Sequence, residues 1–64
     1  MRPRDKAVQD LENSGYGFAR HGANHDIYRN KETGVSIPLK RHDFDEDDLR
    51  YIRKEIKQNE QQRG

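Results

Sequence analysis

Proton transfer at neutral pH is imidazole chemistry, since an unperturbed histidine titrates near about 6.5. The chain has three candidates, His21, His25 and His42. His25 lies in GANHDIY, residues 22–28, where the Gly22, Ala23, Asn24 turn opens into an alternating segment and lets backbone approach a ligand closely. Its parity with Ile27 places it at the rim of a buried layer, which would favour the neutral imidazole that a general base needs. A lone histidine at a strand start is also ordinary, and the residue pattern by itself favours a structural role. His21 beside Arg20 reads as a solvated turn residue with no role. His42 follows Lys40 and Arg41 and reads as a loop histidine in a basic patch, with phosphate contact as its secondary reading.

Other chemistries find little support. His25 and Asp26 are strand neighbours that point to opposite faces, so they cannot share a metal ion. The DEDD run, residues 45–48, lacks calcium-loop spacing and suits a helix start. No phosphate-cradling glycine loop, dinucleotide fingerprint or Ser-His-Asp arrangement is present, so neither a metal nor a cofactor is expected. What remains is binding of a large substrate on a surface. Arg50, Arg53, Lys54 and Lys57 recur at helical spacing and form a basic stripe. That stripe reads equally as a solvated face with pairs such as Glu46 to Arg50, or as a phosphate-binding surface. Lys40 and Arg41, leaving a strand near the start of this helix, tip the reading toward RNA.

The elements that must position these residues follow from periodicity. Residues 4–13 form an amphipathic helix with Ala7, Val8 and Leu11 on one side, started near Pro3 and stopped by Asn13, Ser14 and Gly15. A strand with Tyr16 and Phe18 on one parity follows. Asn24 to Arg29 alternate as a second strand, with His25, Ile27 and Arg29 on one face. The loop NKETG suits a hairpin built on a type I turn with Gly34 left-handed. Val35, Ile37 and Leu39 alternate with Ser36, Pro38 and Lys40, and Pro38 marks an edge strand. Asp45 caps a final helix running to about Gln58, with Asp48 at its third position, a Phe44–Leu49 staple and a buried stripe of Leu49, Ile52 and Ile56. The tail 58–64 has no apolar residue and is expected to fray.

The predicted class is therefore α+β: helix, three-stranded antiparallel meander, helix, with both helices on one face and the other face open. The 64 residues suffice for one domain. With 39% charged and 28% hydrophobic residues, the apolar side chains must be concentrated on few faces for a core to form. The near balance of 13 basic and 12 acidic side chains argues against disorder. There is no cysteine, no apolar run of membrane-spanning length and no signal-like start, so a soluble intracellular protein is expected.

The order and spacing of these pieces resemble the HicA toxins of bacterial type II toxin–antitoxin systems, small ribonucleases that cleave mRNA. The resemblance spans most of the chain. It rests on RDKAVQDLENSGY for the opening helix, GANHDIY for a glycine turn and a histidine followed by an apolar and an aromatic residue, VSIPLKRH for a strand, and DEDDLRYIRKEI for the last helix. The family often carries serine or glycine where this chain has Ala23. The resemblance implies a fold similar to the double-stranded-RNA-binding domain, His25 as the catalytic histidine, and a HicB-like antitoxin partner that blocks the site. It also implies a bacterial, cytoplasmic setting and no cofactor. The chemistry would be metal-independent cleavage, with His25 taking the ribose 2′-hydroxyl proton and Arg29, Lys40 and Arg41 contacting phosphate. No residue is assigned as the general acid. The alternative is a non-catalytic RNA-binding module of the same fold.

Overall fold

Pro3 stands in the first turn of α1 (Pro3–Asn13), where a missing N–H costs nothing. Gly15, at φ 92°, reverses the chain after Ser14, and its N–H bonds the Glu12 carbonyl at 3.1 Å. β1 (Tyr16–His21), β2 (His25–Asn30) and β3 (Ser36–Lys40) follow and then α2 (Glu46–Gln61), in a computed structural model that describes residues 1–61. The three strands form one antiparallel sheet in the order β1-β2-β3. This is the α+β architecture expected from the sequence, with β3 and its Pro38 on an edge. Among the described residues no helix is long and apolar enough to cross a membrane.

One core joins both helices to one face of the sheet. Ala7 and Leu11 from α1 and Leu49, Ile52 and Ile56 from α2 pack with Tyr16, Tyr28, Ile37 and Leu39 from the strands. Val8, Val35 and Phe44 close its margins. The buried stripes of β3 and α2 are those expected, and Phe44 lies half-buried beside the core as a staple residue should. Asp45 and Asp48 cap α2 reciprocally: the Asp48 N–H donates to Asp45 Oδ1 at 3.1 Å, and the Asp45 N–H donates to Asp48 Oδ2 at 3.0 Å. Donation from the Asp45 backbone holds the Asp48 carboxyl below its ordinary range, and Lys40 adds to this.

β2 departs from the expected pattern. It runs one residue later, and its inward residues are Asp26, Tyr28 and Asn30 rather than the set containing His25 and Ile27. The parity of His25 with Ile27 holds, but that parity faces away from the helices. Two buried polar residues are tolerated because each has partners. Asn30 donates to the Ser14 carbonyl at 3.3 Å and accepts from the Glu32 and Thr33 N–H groups at 2.9 and 3.3 Å, shaping the hairpin loop. Gly34, at φ 78°, takes the left-handed position expected of it.

α2 also runs further than expected, continuing to Gln61. Ile56 is still in the core, and Asn59 bonds the Glu55 carbonyl at 2.8 Å, so the helix has anchorage close to its end. Of the tail expected to fray, residues 58–61 are thus helical, and 62–64 lie outside the described residues.

Candidate active site

The sheet register distributes the charged side chains. His25 pairs with Lys40, Ile27 lies between Arg20 and Pro38, and Arg29 lies between Gly17 and Ser36. These positions make up the face that the helices leave open. It carries Arg20, Arg29, Lys40 and His25, and none of these ladder positions holds a carboxylate. Arg20 reaches this face through a β-bulge: the register shifts between Phe18 and Arg20, leaving Ala19 as the extra residue. Sequence alternation missed Arg20 because a bulge has no periodic signature.

His25 is exposed, which corrects the expectation of a half-buried imidazole. It lines a cleft of about 190 Å³ with Pro38 and Lys40 of β3, Phe44 of the β3–α2 connection, and Asp48 and Tyr51 of α2. Lys40 Nζ donates to the Asp43 carbonyl at 3.2 Å and lies 3.6 Å from Asp48 Oδ2, so its ammonium is steered to this end of the sheet. Among the described residues no side-chain hydrogen bond orients the His25 ring.

Gly22 serves its own turn rather than a ligand. Its N–H donates to the His25 carbonyl at 2.7 Å, and a Cβ on Gly22 would stand 3.0 Å from that oxygen. Ala23 and Asn24 are exposed at the tip, and the Asn24 carbonyl accepts from the Arg41 N–H at 3.2 Å.

Arg41, expected to contact phosphate, is engaged by the protein. Its Nη2 donates to the Gly22 carbonyl and, at 3.4 Å, to the His25 carbonyl. Its Nε lies 3.2 Å from Asp26 Oδ1 yet makes no hydrogen bond there, so that contact is ionic. The guanidinium thus braces the strand ends on either side of the turn.

Behind that turn lies a cluster absent from the sequence reading. Asp26, 8% exposed, accepts from Arg4 Nη2 at 2.7 Å through one oxygen and from His21 Nδ1 at 2.8 Å through the other. Arg4 Nε also donates to the Lys40 carbonyl at 3.1 Å, joining α1 to the end of β3. The hydrogen bond from His21 holds the Asp26 carboxyl below its ordinary value; Arg41 and Arg4 act in the same direction, against the upward push of burial. His21 is therefore not a free turn residue. A buried strand carboxylate was the available signal, because such a group needs cationic or N–H partners.

The basic stripe of α2 does not converge on His25. Arg53 donates to Asp10 of α1 at 2.7 Å and ties the helices together, while Arg50 pairs with Asp47 rather than Glu46. Arg53 and Lys57 line the crevice between the helices, whereas α2 contributes Asp48, Tyr51 and Ile52 to the His25 cleft. Lys54 is exposed, and His42 is exposed in the β3–α2 connection.

No family model, curated protein or solved structure matches this chain. Among the described residues no cluster of three or more His, Cys, Asp or Glu could hold a metal ion.

Proposed function

We propose that the chain is a HicA-like, metal-independent endoribonuclease that binds single-stranded mRNA on its open sheet face and cleaves it with His25. The observation that carries this reading is the composition of that face: Arg20, Arg29 and Lys40 share it with an exposed histidine, and the carboxylate that reaches Lys40, Asp48, comes from α2 rather than from a ladder position. A polyanion suits such a surface, since each phosphate it neutralises releases condensed counterions. The double-stranded-RNA-binding-domain-like fold, the HicB-like antitoxin and the bacterial cytoplasm belong to the same proposal and rest on the sequence resemblance.

The chemistry follows from the residues. His25 accepts the ribose 2′-hydroxyl proton, and the resulting oxygen attacks the adjacent phosphorus. Lys40, opposite His25 in the ladder, offsets charge building on the phosphoryl oxygens once its ammonium swings from Asp43 and Asp48 to the substrate. Arg20 and Arg29 hold the flanking backbone. One positioned acid–base group contributes about a hundredfold to ten-thousandfold, which suits a slow nuclease.

The test is purified protein incubated with RNA in excess chelator. Cleavage that disappears in a folded His25→Ala variant supports the reading. RNA that is retarded but intact identifies the non-catalytic RNA-binding module instead. Wild-type cleavage by folded His25→Ala removes His25 as the base.

A further inference from the structure

The step above leaves the departing 5′-oxygen without a proton donor, and the cluster behind the turn contains one. We propose that His21, aimed by Asp26, is the general acid that protonates the 5′-oxygen as the phosphodiester breaks. This rests on the endoribonuclease reading and adds a residue to its site.

His21 ends β1 and His25 begins β2, and the Gly22 N–H to His25 carbonyl bond closes the turn between them. His21 pairs with Asp26, whose side chain faces away from that of His25, so the two imidazoles leave opposite faces at the same end of one hairpin. The bulge at Ala19 creates this arrangement, because an unbroken register from Phe18 and Tyr28 would set His21 opposite His25.

The His21 ring is oriented. A carboxylate cannot donate, so Nδ1 carries the proton in the 2.8 Å bond to Asp26, and Nε2 is left for a substrate. Asp26 is itself fixed by Arg4 at 2.7 Å and Arg41 at 3.2 Å. Arg4 and Arg41 balance the charge of the buried carboxylate, and His21 is the hydrogen-bond donor to its Oδ1. The His21 side chain is 71% exposed, and the half-exposed Phe18 ring lies 4.8 Å from it, centroid to centroid. Phe18 offers a flat apolar surface for the base of the nucleotide being released.

In-line displacement at phosphorus places the attacking and leaving oxygens on opposite sides. Its base and acid must therefore approach from opposite sides as well. With the phosphate at the turn of residues 22–24, His25 would approach from one face of the hairpin and His21 from the other. The 2′-O–P bond forms as the P–O5′ bond breaks. The 2′-hydroxyl proton goes to neutral His25, and the Nε2 proton of protonated His21 goes to O5′, giving a 2′,3′-cyclic phosphate and a 5′-hydroxyl. Solvent exchange restores both imidazoles, and no other reactant is consumed.

The experiment compares ordinary RNA with an analogue whose scissile 5′-oxygen is replaced by sulfur, a thiolate being able to leave without a proton. Wild type, His21→Gln and His25→Gln are assayed on both in excess chelator, with folding checked by circular dichroism. His21→Gln should cut ordinary RNA about a hundredfold to ten-thousandfold more slowly and the thio analogue at nearly the wild-type rate. His25→Gln should be slow on both. Equal slowing of His21→Gln on the two substrates, or none on ordinary RNA, overturns the acid role while leaving the endoribonuclease reading intact. A wild-type protein that cuts neither substrate overturns both. Asp26→Asn, if folded, provides a second check, since the loss of ring orientation should slow ordinary RNA more than the thio analogue.

Discussion

Nδ1 of His21 donates to the carboxylate of Asp26 at 2.8 Å, tying an exposed strand end to a buried position on the central strand. This bond is the largest cause lowering the Asp26 carboxyl from its ordinary value of 3.8. A group whose folded value is depressed contributes stability that is complete above its unfolded value and is lost as pH falls toward the folded one. Asp26, and Asp48 with it, should therefore leave stability unaffected by pH near neutrality and erode it below about pH 4. Removing the His21 donor should shift the acid midpoint of unfolding upward in His21→Ala, which has no side-chain N–H to offer Asp26. Ellipticity followed during acid titration of both proteins checks this, and coincident midpoints would contradict it.

The same cluster shows why some of the site was legible in the sequence and some was not. β3 and α2 were readable because Ile37, Leu39, Leu49, Ile52 and Ile56 are apolar at strand and helix spacing, and hydrophobic burial follows that spacing. β2 reads with the wrong face inward because two of its inward residues are polar. The partners that make Asp26 and Asn30 tolerable inside, Arg4 and the Ser14 carbonyl, lie 22 and 16 residues away in the chain. Periodicity cannot see a contact that distant. It is equally blind to the bulge that puts Arg20 on the open face and His21 on the face of Asp26, so the sequence named His25, Arg29, Lys40 and Arg41 but neither Arg20 nor the His21–Asp26 pair.

The core has little redundancy, and Ile52 tests that. Its side chain is 2% exposed, between Leu49 and Ile56 in the stripe that fastens α2 to the sheet. Ile52→Ala removes buried methyl groups and leaves a void, at a cost of about 2–5 kcal/mol. Domains this small have stabilities toward the lower end of about 5–15 kcal/mol. A large drop in thermal midpoint, or outright loss of the cooperative transition, is the expected result by circular dichroism.

The two basic surfaces make different predictions for salt dependence. If RNA lies on the open sheet face, Arg20→Ala and Arg29→Ala should each reduce the slope of log affinity against log salt by about 0.7 on a single strand. Lys54→Ala and Lys57→Ala should leave it unchanged. Arg53→Ala should cost stability, at most about 1 kcal/mol, because its exposed ion pair with Asp10 ties the two helices. Titrations at several salt concentrations decide the matter, and a reduced slope in Lys54→Ala would move the RNA to the helical side.

Gly22 can be tested through the space its hydrogen occupies. A methyl group there would meet the His25 carbonyl at 3.0 Å, and the same oxygen accepts the Gly22 N–H at 2.7 Å. Gly22→Ala requires the His25 carbonyl to give by a few tenths of an ångström. A misplacement of about 1 Å can cost a hundredfold in rate, so a fraction of that is felt in cleavage before it is felt in stability. Cleavage should therefore fall much more than thermal stability does, whereas Ala23→Gly at the exposed tip should change neither by a comparable amount.

Arg41 separates positioning from phosphate binding. Its guanidinium reaches the Gly22 and His25 carbonyls and the Asp26 carboxylate together. Lysine keeps the charge but ends in one compact ammonium, which cannot span the same set of oxygens. If Arg41 acts by holding the turn, Arg41→Lys should lower kcat about a hundredfold with KM nearly unchanged, because RNA still meets Arg20, Arg29 and Lys40 while His25 loses its bracing. If Arg41 instead holds substrate phosphate, the same variant should raise KM and spare kcat. Steady-state kinetics on one RNA substrate distinguish the two, and the hydrogen bonds to the turn favour the loss of kcat.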